Sequence, residues 1–464
     1  MASGSAFPVR SLPCIPVIVY TVRDCRLHPV VNNLEMNSMI WILAALLAAP
    51  AADLKQTPGD WPQFRGPNRD GASTEKGLLQ KWPADGPPKL WTKTDLGGGY
   101  STVSVVGGVI FGSGKMSDNQ EHVWALDEKT GDLKWSTPFS EAKKVGYDEG
   151  TRSTPTYASG LVYVVSMEGT LACLDATNGK LVWKKSYTKD FGGSVQSWGY
   201  SESILVDDGK VIGTPASKSA AMVALNAKTG ELIWQTPVAD PGKASGYASP
   251  IKAELGGVPM YINLLGKTGG VIAVHAKTGK LLWQYNRIMN GTANIPSPLV
   301  KGDLVFCSTG YGDGGSALLK MTVEGDTVSV KELKYYKSGD LQNHHGGMVA
   351  VGDTIYFGNG HDQGKPAAVD FKTATINWAE TRGAGGGDKS AAIAYADGML
   401  YFRYQNAVIA LVKADPKEFT LVSSFKIPQP SGKASWPHPT IANGMLFIRD
   451  QDKLHCFDLH ASGK

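Results

Sequence analysis

The residues that could do chemistry lie in short segments between apolar runs. In one of them, His344-His345-Gly346-Gly347, two adjacent imidazoles suggest a metal site. Adjacent side chains on an extended chain point to opposite sides, so both rings can reach one ion only if the chain bends. His361 or His438 would have to supply the third ligand. We therefore expect no metal site here.

A wider group of polar and aromatic residues precedes a series of apolar hairpins, at equivalent places in each. We call these positions the mouth ring. They are rich in Arg, Lys, His, Tyr and Trp, which commonly recognise ligands, and they differ from one hairpin to the next. Cations outnumber carboxylates nearby, which favours an anionic or hydroxyl-rich ligand. The candidate ligand-binding residues are Arg152, Trp198, Tyr200, Tyr247, Asn294, His344, His345, Lys389, Trp436 and His438.

Structural roles compete with recognition at several positions. Arg152 could bind a ligand or hold main-chain carbonyls of neighbouring segments, and both interpretations stay open. For Tyr100 and Trp436 we expect rings that plug a central channel. The segment Gly310–Ala317 resembles a phosphate-binding loop, but it lacks a Gly-Lys-Ser ending and a following helix, so it predicts a hairpin.

A repeated phrase predicts the elements that position these residues. An apolar run, a polar turn with Thr-Gly or a related pair, and a Trp recur about every 40–50 residues, a period typical of repeat folds. The turn Asp127 to Gly131 predicts a hairpin, and the flanking Val, Ile, Leu and Trp favour strands. The copies are VWALDEKTGDLKW (123–135), LACLDATNGKLVW (171–183), MVALNAKTGELIW (222–234), VIAVHAKTGKLLW (271–283) and a worn copy ending at Trp378.

Four short strands per repeat are typical of a propeller blade. The last blade has only three strands of its own, and Pro88–Thr94 is predicted to complete it, which leaves no open sheet edge. The sequence thus predicts an all-β chain with a single eight-bladed β-propeller of four-stranded antiparallel blades, closed by an N-terminal strand. Its outermost strands end at Trp91, Trp135, Trp183, Trp234, Trp283, Tyr335 or Tyr336, Trp378 and Phe425.

The phrase Ala125-x-Asp127 through Trp135 resembles the A-x-D-x-x-T-G-x-x-x-W signature of the PQQ-like, or quinoprotein alcohol dehydrogenase-like, propeller superfamily. Residues 61–71 and 438–452 are similar to segments of exported bacterial propellers of the planctomycete type, and the resemblance covers about residues 61–460. It implies kinship with both dehydrogenases and outer-membrane assembly scaffolds, so it predicts the fold and leaves the activity open.

The chain divides into a leader or misassigned start (1–35), a signal peptide (36–52), an N-terminal extension (53–87) and the propeller (88–464). The signal peptide predicts a periplasmic or secreted protein that does not span a membrane. Three cysteines fall in the propeller, in separate blades, and are expected to be packed thiols. A formal net charge of +4 does not indicate nucleic-acid binding.

Two functions remain open at this stage. The first is an exported, non-catalytic binding or scaffold propeller that is monomeric, needs no cofactor and contacts an envelope protein, a glycan or an anionic small ligand. The alternative, implied by the resemblance, is a PQQ-dependent alcohol or sugar dehydrogenase with calcium. It would place the quinone on Trp198 or Trp436 and its carboxylates near Arg152, Lys218, Lys267 and Lys389. Its calcium would need oxygen ligands, for which Glu202, Asp313 and Asp388 are the acidic candidates.

Overall fold

The structure is a computed structural model that describes residues 53–147, 149–242 and 246–461. Within these ranges the chain forms eight antiparallel sheets of four strands each, which follow one another in a ring around a central channel. The predicted all-β, eight-bladed propeller is confirmed.

The strands are short, and each blade meanders from the channel outward. Strand β1 (Lys89–Lys93) precedes the blades along the chain. The first four blades comprise β2 (Ser104–Val106), β3 (Val109–Lys115), β4 (Gln120–Asp127) and β5 (Leu133–Glu141); β6 (Thr156–Ala158), β7 (Leu161–Val165), β8 (Thr170–Asp175) and β9 (Leu181–Ser186); β10 (Leu205–Asp207), β11 (Lys210–Gly213), β12 (Met222–Asn226) and β13 (Leu232–Thr236); β14 (Ile251–Leu255), β15 (Val258–Leu264), β16 (Val271–His275) and β17 (Leu281–Tyr285).

The second half of the ring continues the same pattern. Its four blades comprise β18 (Leu299–Lys301), β19 (Leu304–Thr309), β20 (Gly315–Glu324) and β21 (Thr327–Lys337); β22 (Asn343–Val351), β23 (Thr354–Asn359), β24 (Lys365–Asp370) and β25 (Ile376–Ala379); β26 (Ala391–Ala396), β27 (Met399–Tyr404), β28 (Val408–Lys413) and β29 (Leu421–Lys426); β30 (Thr440–Ala442), β31 (Met445–Asp450) and β32 (Lys453–Asp458), with β1 as the fourth strand.

The last blade closes the ring by joining the two ends of the propeller. Strand β1 pairs antiparallel with β32, where Trp91 lies opposite Cys456 and Thr92 opposite His455. The outermost strand of blade eight therefore comes first in the sequence, ahead of the strands of every other blade. This confirms the predicted closure by the segment around Trp91.

The repeated phrase explains how one blade is held to the next. The Asp127 carboxylate accepts the main-chain N–H groups of Lys129 and Thr130 at 3.0 and 3.2 Å, which fixes the turn. Trp183 of blade two packs over Gly230 in the corresponding turn of blade three, and its indole N–H donates to the Ala227 carbonyl at 2.9 Å.

Equivalent bonds recur around the ring. Trp91, Trp135, Trp234 and Trp378 make the same indole bond at 3.0 to 3.3 Å, and the hydroxyl of Tyr336 makes it at 2.8 Å. These five residues thus share one role, because each joins its own blade to the turn of the next, whereas the indole N–H of Trp283 has no described partner.

Part of the predicted N-terminal extension lies inside the ring, across the channel. Trp61 forms an antiparallel bridge with Val105 in blade one. The fully buried guanidinium of Arg69 donates to main-chain carbonyls of blade three at 2.7 and 3.0 Å. Arg65, also buried, donates to the Met348 carbonyl of blade six. Contacts with several blades make this segment the floor of the channel.

Little else interrupts the strands. One short helix, α1 (Tyr187–Phe191), and one 3-10 turn (Ala384–Gly386) lie in connections between blades. No helix in the described ranges has the length and apolar composition needed to span a membrane. Cys173, Cys307 and Cys456 are buried free thiols in separate blades. The predicted leader (1–35) and signal peptide (36–52) lie outside the described residues.

Candidate functional site

The mouth of the channel contains a cavity of about 500 Å³, which is in the usual range for small-molecule sites. Its walls are the connections between blades and the loops that join second to third strands. Eight of the ten residues predicted to bind a ligand line it: Arg152, Trp198, Tyr247, His344, His345, Lys389, Trp436 and His438.

The other two predicted residues have structural roles and do not line the cavity. Tyr200 is buried, packs edge-on against Tyr187 at 5.1 Å, and donates its hydroxyl to the Pro215 carbonyl at 3.2 Å. The Asn294 side chain accepts the N–H of Asn290 at 3.0 Å and stabilises a turn. Both were predicted to belong to the mouth ring from their positions in the repeat, and position alone does not show which way a side chain points.

The two adjacent histidines lie on a bulge of β22. Asn343 pairs with Asn359 and Met348 pairs with Phe357, so four residues of β22 lie opposite a single residue of β23. Gly346 and Gly347 make the bulge possible: a Cβ on Gly346 would overlap a carbonyl of β26, and one on Gly347 would overlap the guanidinium of the channel floor.

This bulge supplies the bend that the sequence analysis named as the condition for bringing the two rings together. The rings of His344 and His345 stack with centroids 3.6 Å apart and an angle of 25° between them. His361, from the loop between β23 and β24, packs edge-on against His344 at 4.2 Å. The imidazoles do not point to opposite sides because the strand is not extended at the His-His-Gly-Gly segment.

The geometry also determines the protonation of the cluster. The Nδ1 atom of His344 accepts the Asp362 main-chain N–H at 3.3 Å and lies 2.6 Å from the Ser390 hydroxyl. In the neutral ring the proton is therefore on Nε2, which has no protein partner. Burial, with the neighbouring imidazoles, lowers the pKa of His344 far below its usual value.

The other buried histidines are neutral for the same physical reason. Burial and the nearby His361 ring lower the pKa of His345 to about 3. Burial and the Arg65 guanidinium, 3.4 Å from its Nδ1, lower the pKa of His438 to about 3. His344, His345 and His438 are thus neutral near pH 7.

Of the two roles considered for Arg152, the structure shows the structural one, and one face of its guanidinium lies on the cavity. Its guanidinium donates to the carbonyls of Gly146, Tyr147 and Gly150 at 2.5 to 3.0 Å, and it lies 5.3 Å from the Tyr100 ring centroid. These bonds hold the loop that carries Tyr147 to the cavity. The charge itself has no carboxylate within ion-pair distance in the described part of the chain.

Aromatic rings form one side of the cavity. They include Tyr100 and Trp436, whose rings were expected to plug the central channel. Trp436 lies 4.6 Å from Tyr100, 5.1 Å from Tyr147 and 4.8 Å from His345, measured between ring centroids. Tyr100 donates its hydroxyl to Glu149 at 2.6 Å. Tyr100 and Trp436 therefore line the wall, and the floor is closed by the N-terminal segment, so their predicted role as plugs is wrong.

Several lining residues were missed by the sequence analysis. Phe64 and Arg65 come from the N-terminal segment, whose path through the ring has no periodic pattern. The others lie in loops to which no binding residue was assigned. The missed residues include Phe64, Arg65, Tyr147, Tyr311, Asp362 and Gln405, whereas His361 was considered only as a metal ligand.

Five lining residues adopt left-handed backbone conformations that non-glycine residues rarely use. They are Arg65, Tyr147, Tyr311, Asp362 and Lys389, with φ between 54° and 69°. Such conformations cost on the order of 1–3 kcal/mol each. The cavity is therefore one of several places where this fold accepts local strain.

The donor set does not fit a calcium-bound quinone. Asp362 is the only carboxylate among the described lining residues, and no three described His, Cys, Asp or Glu side chains are placed to share a metal. Glu202 is buried away from the cavity, where it accepts bonds from the Tyr187 hydroxyl and the Thr214 N–H, and burial raises its pKa. Asp313 pairs with Lys267 at 2.8 Å.

Comparison with known proteins identifies two kinds of relative. The chain is 29% identical over 146 residues to an outer membrane protein assembly factor BamB of Kangiella koreensis, which covers 30% of this chain and 32% of that protein. It is 28% identical over 210 residues to the dehydrogenase subunit of a quinone alcohol dehydrogenase of Gluconobacter oxydans, covering 40% and 26%. The matches thus span less than two thirds of either relative.

A solved structure supports the fold. The quinohemoprotein alcohol dehydrogenase of Comamonas testosteroni superposes with a TM-score of 0.60 at 15% identity, covering 92% of this chain and 85% of that one. The sequence profile of one family matches residues 119–380, which is more than half of the chain and contains the repeats that join the blades. The chain therefore belongs to the PQQ-like propeller family described as outer membrane protein assembly factor BamB.

Proposed function

We propose that this chain is an exported, non-catalytic propeller of the cell envelope that binds a ligand in the cavity at the channel mouth. The observation that carries the proposal is the composition of that cavity. Its described lining brings together aromatic rings, the neutral imidazoles of His344, His345 and His438, and cations without an ion-pair partner, with a single carboxylate, Asp362. These groups recognise and orient a ligand, whereas general acid–base chemistry needs a positioned proton donor and acceptor.

The hydroxyl nearest a cavity histidine does not make a nucleophile. Ser390 lies 2.6 Å from Nδ1 of His344, but it is buried behind the ring and is not a lining residue. In a serine–histidine pair of the hydrolytic type, a carboxylate orients the histidine through its other nitrogen. Here the other nitrogen, Nε2, has no protein partner. The arrangement favours binding over acyl transfer.

The quinone dehydrogenase alternative has some support and a specific difficulty. Trp198, Trp436, Arg152 and Lys389 all line the cavity and would suit a flat, anionic ring. Calcium, however, requires several oxygen ligands, and the described lining of the cavity offers one carboxylate. Because the residues present do not fit the metal, we derive no oxidation step for this chain.

An envelope location and an envelope partner are part of the proposal. They are supported by the predicted signal peptide and by the family, whose description names an outer membrane assembly factor. A protein, a glycan or an anionic small molecule would each approach the same face of the ring. The loops there differ from blade to blade, as a recognition surface requires.

A titration separates the two functions. The full-length chain is mixed with pyrroloquinoline quinone and calcium, quinone absorbance is followed, and dye-linked oxidation of alcohols and sugars is measured. We expect neither saturable binding nor turnover. Saturable binding with turnover, lost in a variant that fills the cavity, Ala434→Trp, would establish the dehydrogenase instead.

The binding role has its own positive test. The chain is purified from the bacterial envelope and examined by native mass spectrometry beside Ala434→Trp, whose altered residue lines the cavity. We expect the wild-type chain to carry a bound molecule that the filled variant lacks. Identical masses, after allowing for the substitution, would count against the cavity as the binding site.

A further inference from the structure

The cavity wall contains buried hydrogen-bond donors without protein partners. Nε2 of His344, which carries the proton, and Nε1 of Trp436 are fully covered yet bond to no described atom. His344 itself is only 6% exposed. Most buried polar groups in folded proteins are paired, so two unpaired donors on residues that line one cavity are candidates to bond acceptor atoms of a ligand.

Two serines of the opposite wall add further donors. The Ser203 hydroxyl oxygen accepts the Thr154 N–H at 2.9 Å, and that of Ser249 accepts the Ser203 N–H at 2.8 Å. Both serines are at least nine-tenths buried and line the cavity. Because their oxygens accept, their hydroxyl hydrogens remain available, and no described residue accepts either one.

The charges of the lining residues favour an anion. Arg65, Arg152 and Lys389 carry positive charge, and Asp362 is the sole opposing carboxylate among the lining residues that the structure describes. Lys389 forms no ion pair with any described side chain, and its backbone is held at φ 63°. A cation at the rim of the cavity attracts a carboxylate, although water screens the exposed Lys389 charge in part.

The ligand needs an apolar face as well as oxygen atoms. Trp436 and Trp198 lie on different connections, each packed against a tyrosine, and present ring surface to the cavity. A flat aromatic acid would use these rings but not the serine hydroxyls. A pyranose has both C–H faces that pack on aromatic rings and oxygens that accept from hydroxyl groups.

We propose that the cavity binds a hexuronic acid unit, a pyranose that carries a carboxylate. Its carboxylate would meet Lys389 and the N–H groups of His344 and Trp436, and its ring oxygens would meet the hydroxyls of Ser203 and Ser249. This inference deepens the proposed binding function and rests on it. An acidic polysaccharide end and a free sugar acid share this chemistry.

Three probes that differ by one feature each test the assignment by isothermal titration calorimetry at pH 7. D-glucuronate has the ring, hydroxyls and carboxylate; D-glucose lacks the carboxylate; cyclohexanecarboxylate lacks the hydroxyls. We expect D-glucuronate to bind about tenfold more tightly than either of the other two. D-glucose loses the charge-assisted bond, and cyclohexanecarboxylate loses the hydroxyl contacts. Equal affinity for D-glucose, or for cyclohexanecarboxylate, would overturn the proposal.

Variants locate the binding. Lys389→Met, at an exposed position, should weaken D-glucuronate about tenfold and leave D-glucose unchanged. Trp436→Phe keeps a ring and removes the N–H, so it should weaken D-glucuronate about threefold to tenfold. Lys228→Met, on a hairpin of the opposite face, is the matched control and should bind as wild type.

Failure of this inference differs from failure of the proposed function. Absence of D-glucuronate binding, or undiminished binding in Lys389→Met, would overturn the sugar-acid assignment and leave a binding propeller with another ligand. Quinone binding with turnover would overturn the binding function itself. Comparing tetragalacturonate with D-galacturonate distinguishes the two sources of the sugar acid. Tighter binding of the tetramer would indicate the end of a polysaccharide, and binding of the monomer that is at least as tight would indicate a free sugar acid.

Discussion

Replacing Glu121 by Gln should make the propeller more stable in alkaline solution and leave it nearly unchanged in acid. Glu121 in β4 is fully buried, and its carboxylate accepts the Met167 N–H at 3.0 and 3.3 Å. Burial is the main cause that raises its pKa to about 8, and the Met167 bond and the Arg152 charge only partly oppose the rise. The carboxyl group is therefore protonated in the folded protein at neutral pH.

The size of the effect follows from the linkage between protonation and folding. In the unfolded chain Glu121 ionises near its ordinary pKa of 4.5. Between that value and about 8, only the folded state holds the proton, so stability falls as pH rises through this window. At 1.36 kcal/mol per pKa unit the loss amounts to roughly 3–5 kcal/mol above pH 8. Gln keeps a carbonyl that accepts from Met167 but has no proton to lose.

The assay is thermal and denaturant unfolding of both proteins between pH 5 and 9. Near pH 5 we expect the two to agree within about 1 kcal/mol, and at pH 9 we expect Glu121→Gln to be more stable by roughly 3–5 kcal/mol. Glu254→Gln, on an exposed position of β14, is the control for a general effect of removing a carboxylate. Curves of wild type and Glu121→Gln that stay parallel from pH 6 to 9 would refute the reasoning.

Three further predictions concern the wall and the ring. Gly347→Ala should destabilise the protein by about 3 kcal/mol or more, because its Cβ would overlap Arg65. Gly352→Ala is the control, also at positive φ but in open space, and should cost only about 1 kcal/mol. Equal melting shifts of the two variants would contradict this prediction. Trp183→Ala should lower the free energy of unfolding by about 3 kcal/mol, at the lower end for large aromatics because the ring is partly exposed. Trp183→Phe should lower it by about 1 kcal/mol, because only the N–H bond is lost. In urea melts, a larger loss of stability for Phe than for Ala would count against the blade-joining bond. Arg152→Ala should speed hydrogen exchange and proteolysis of the loop it holds, and unchanged rates there would make it a ligand residue instead.

The blades were predictable because the repeat records contacts that are local to two neighbouring turns. Trp135 bonds to the Ala176 carbonyl at 3.1 Å and covers Gly179, and the same pairing recurs one blade later. A sequence that repeats its Trp and its Thr-Gly turn at one spacing must repeat this contact. The closure followed from counting strands, since three strands at one end needed a fourth from the other.

The site was only partly predictable because its geometry depends on contacts that no period records. The mouth ring found Lys389 and Trp436 by position, but the direction of His345 depends on the bulge, which requires close approach of β22 to β26 and to Arg65. The role of Arg152 depends on which carbonyls its loop turns inward. Left-handed conformations at Tyr311 and Lys389 leave no trace in residue type, because neither residue favours them.

The two halves of each blade are under different physical demands, and this explains why the fold is plain in the sequence while the ligand is not. At the outer edge each Trp must fit the next turn, so a change there costs stability directly. At the mouth, a loop residue such as Lys389 touches solvent and cavity, so it can vary without cost to the ring. Arg65 breaks this separation: its guanidinium donates to the Met348 carbonyl and to the Asp70 carbonyl at 2.9 Å, and contacts His438 in the wall. A ligand that stabilises the wall would therefore also stabilise the N-terminal segment through Arg65, and the two effects would be coupled.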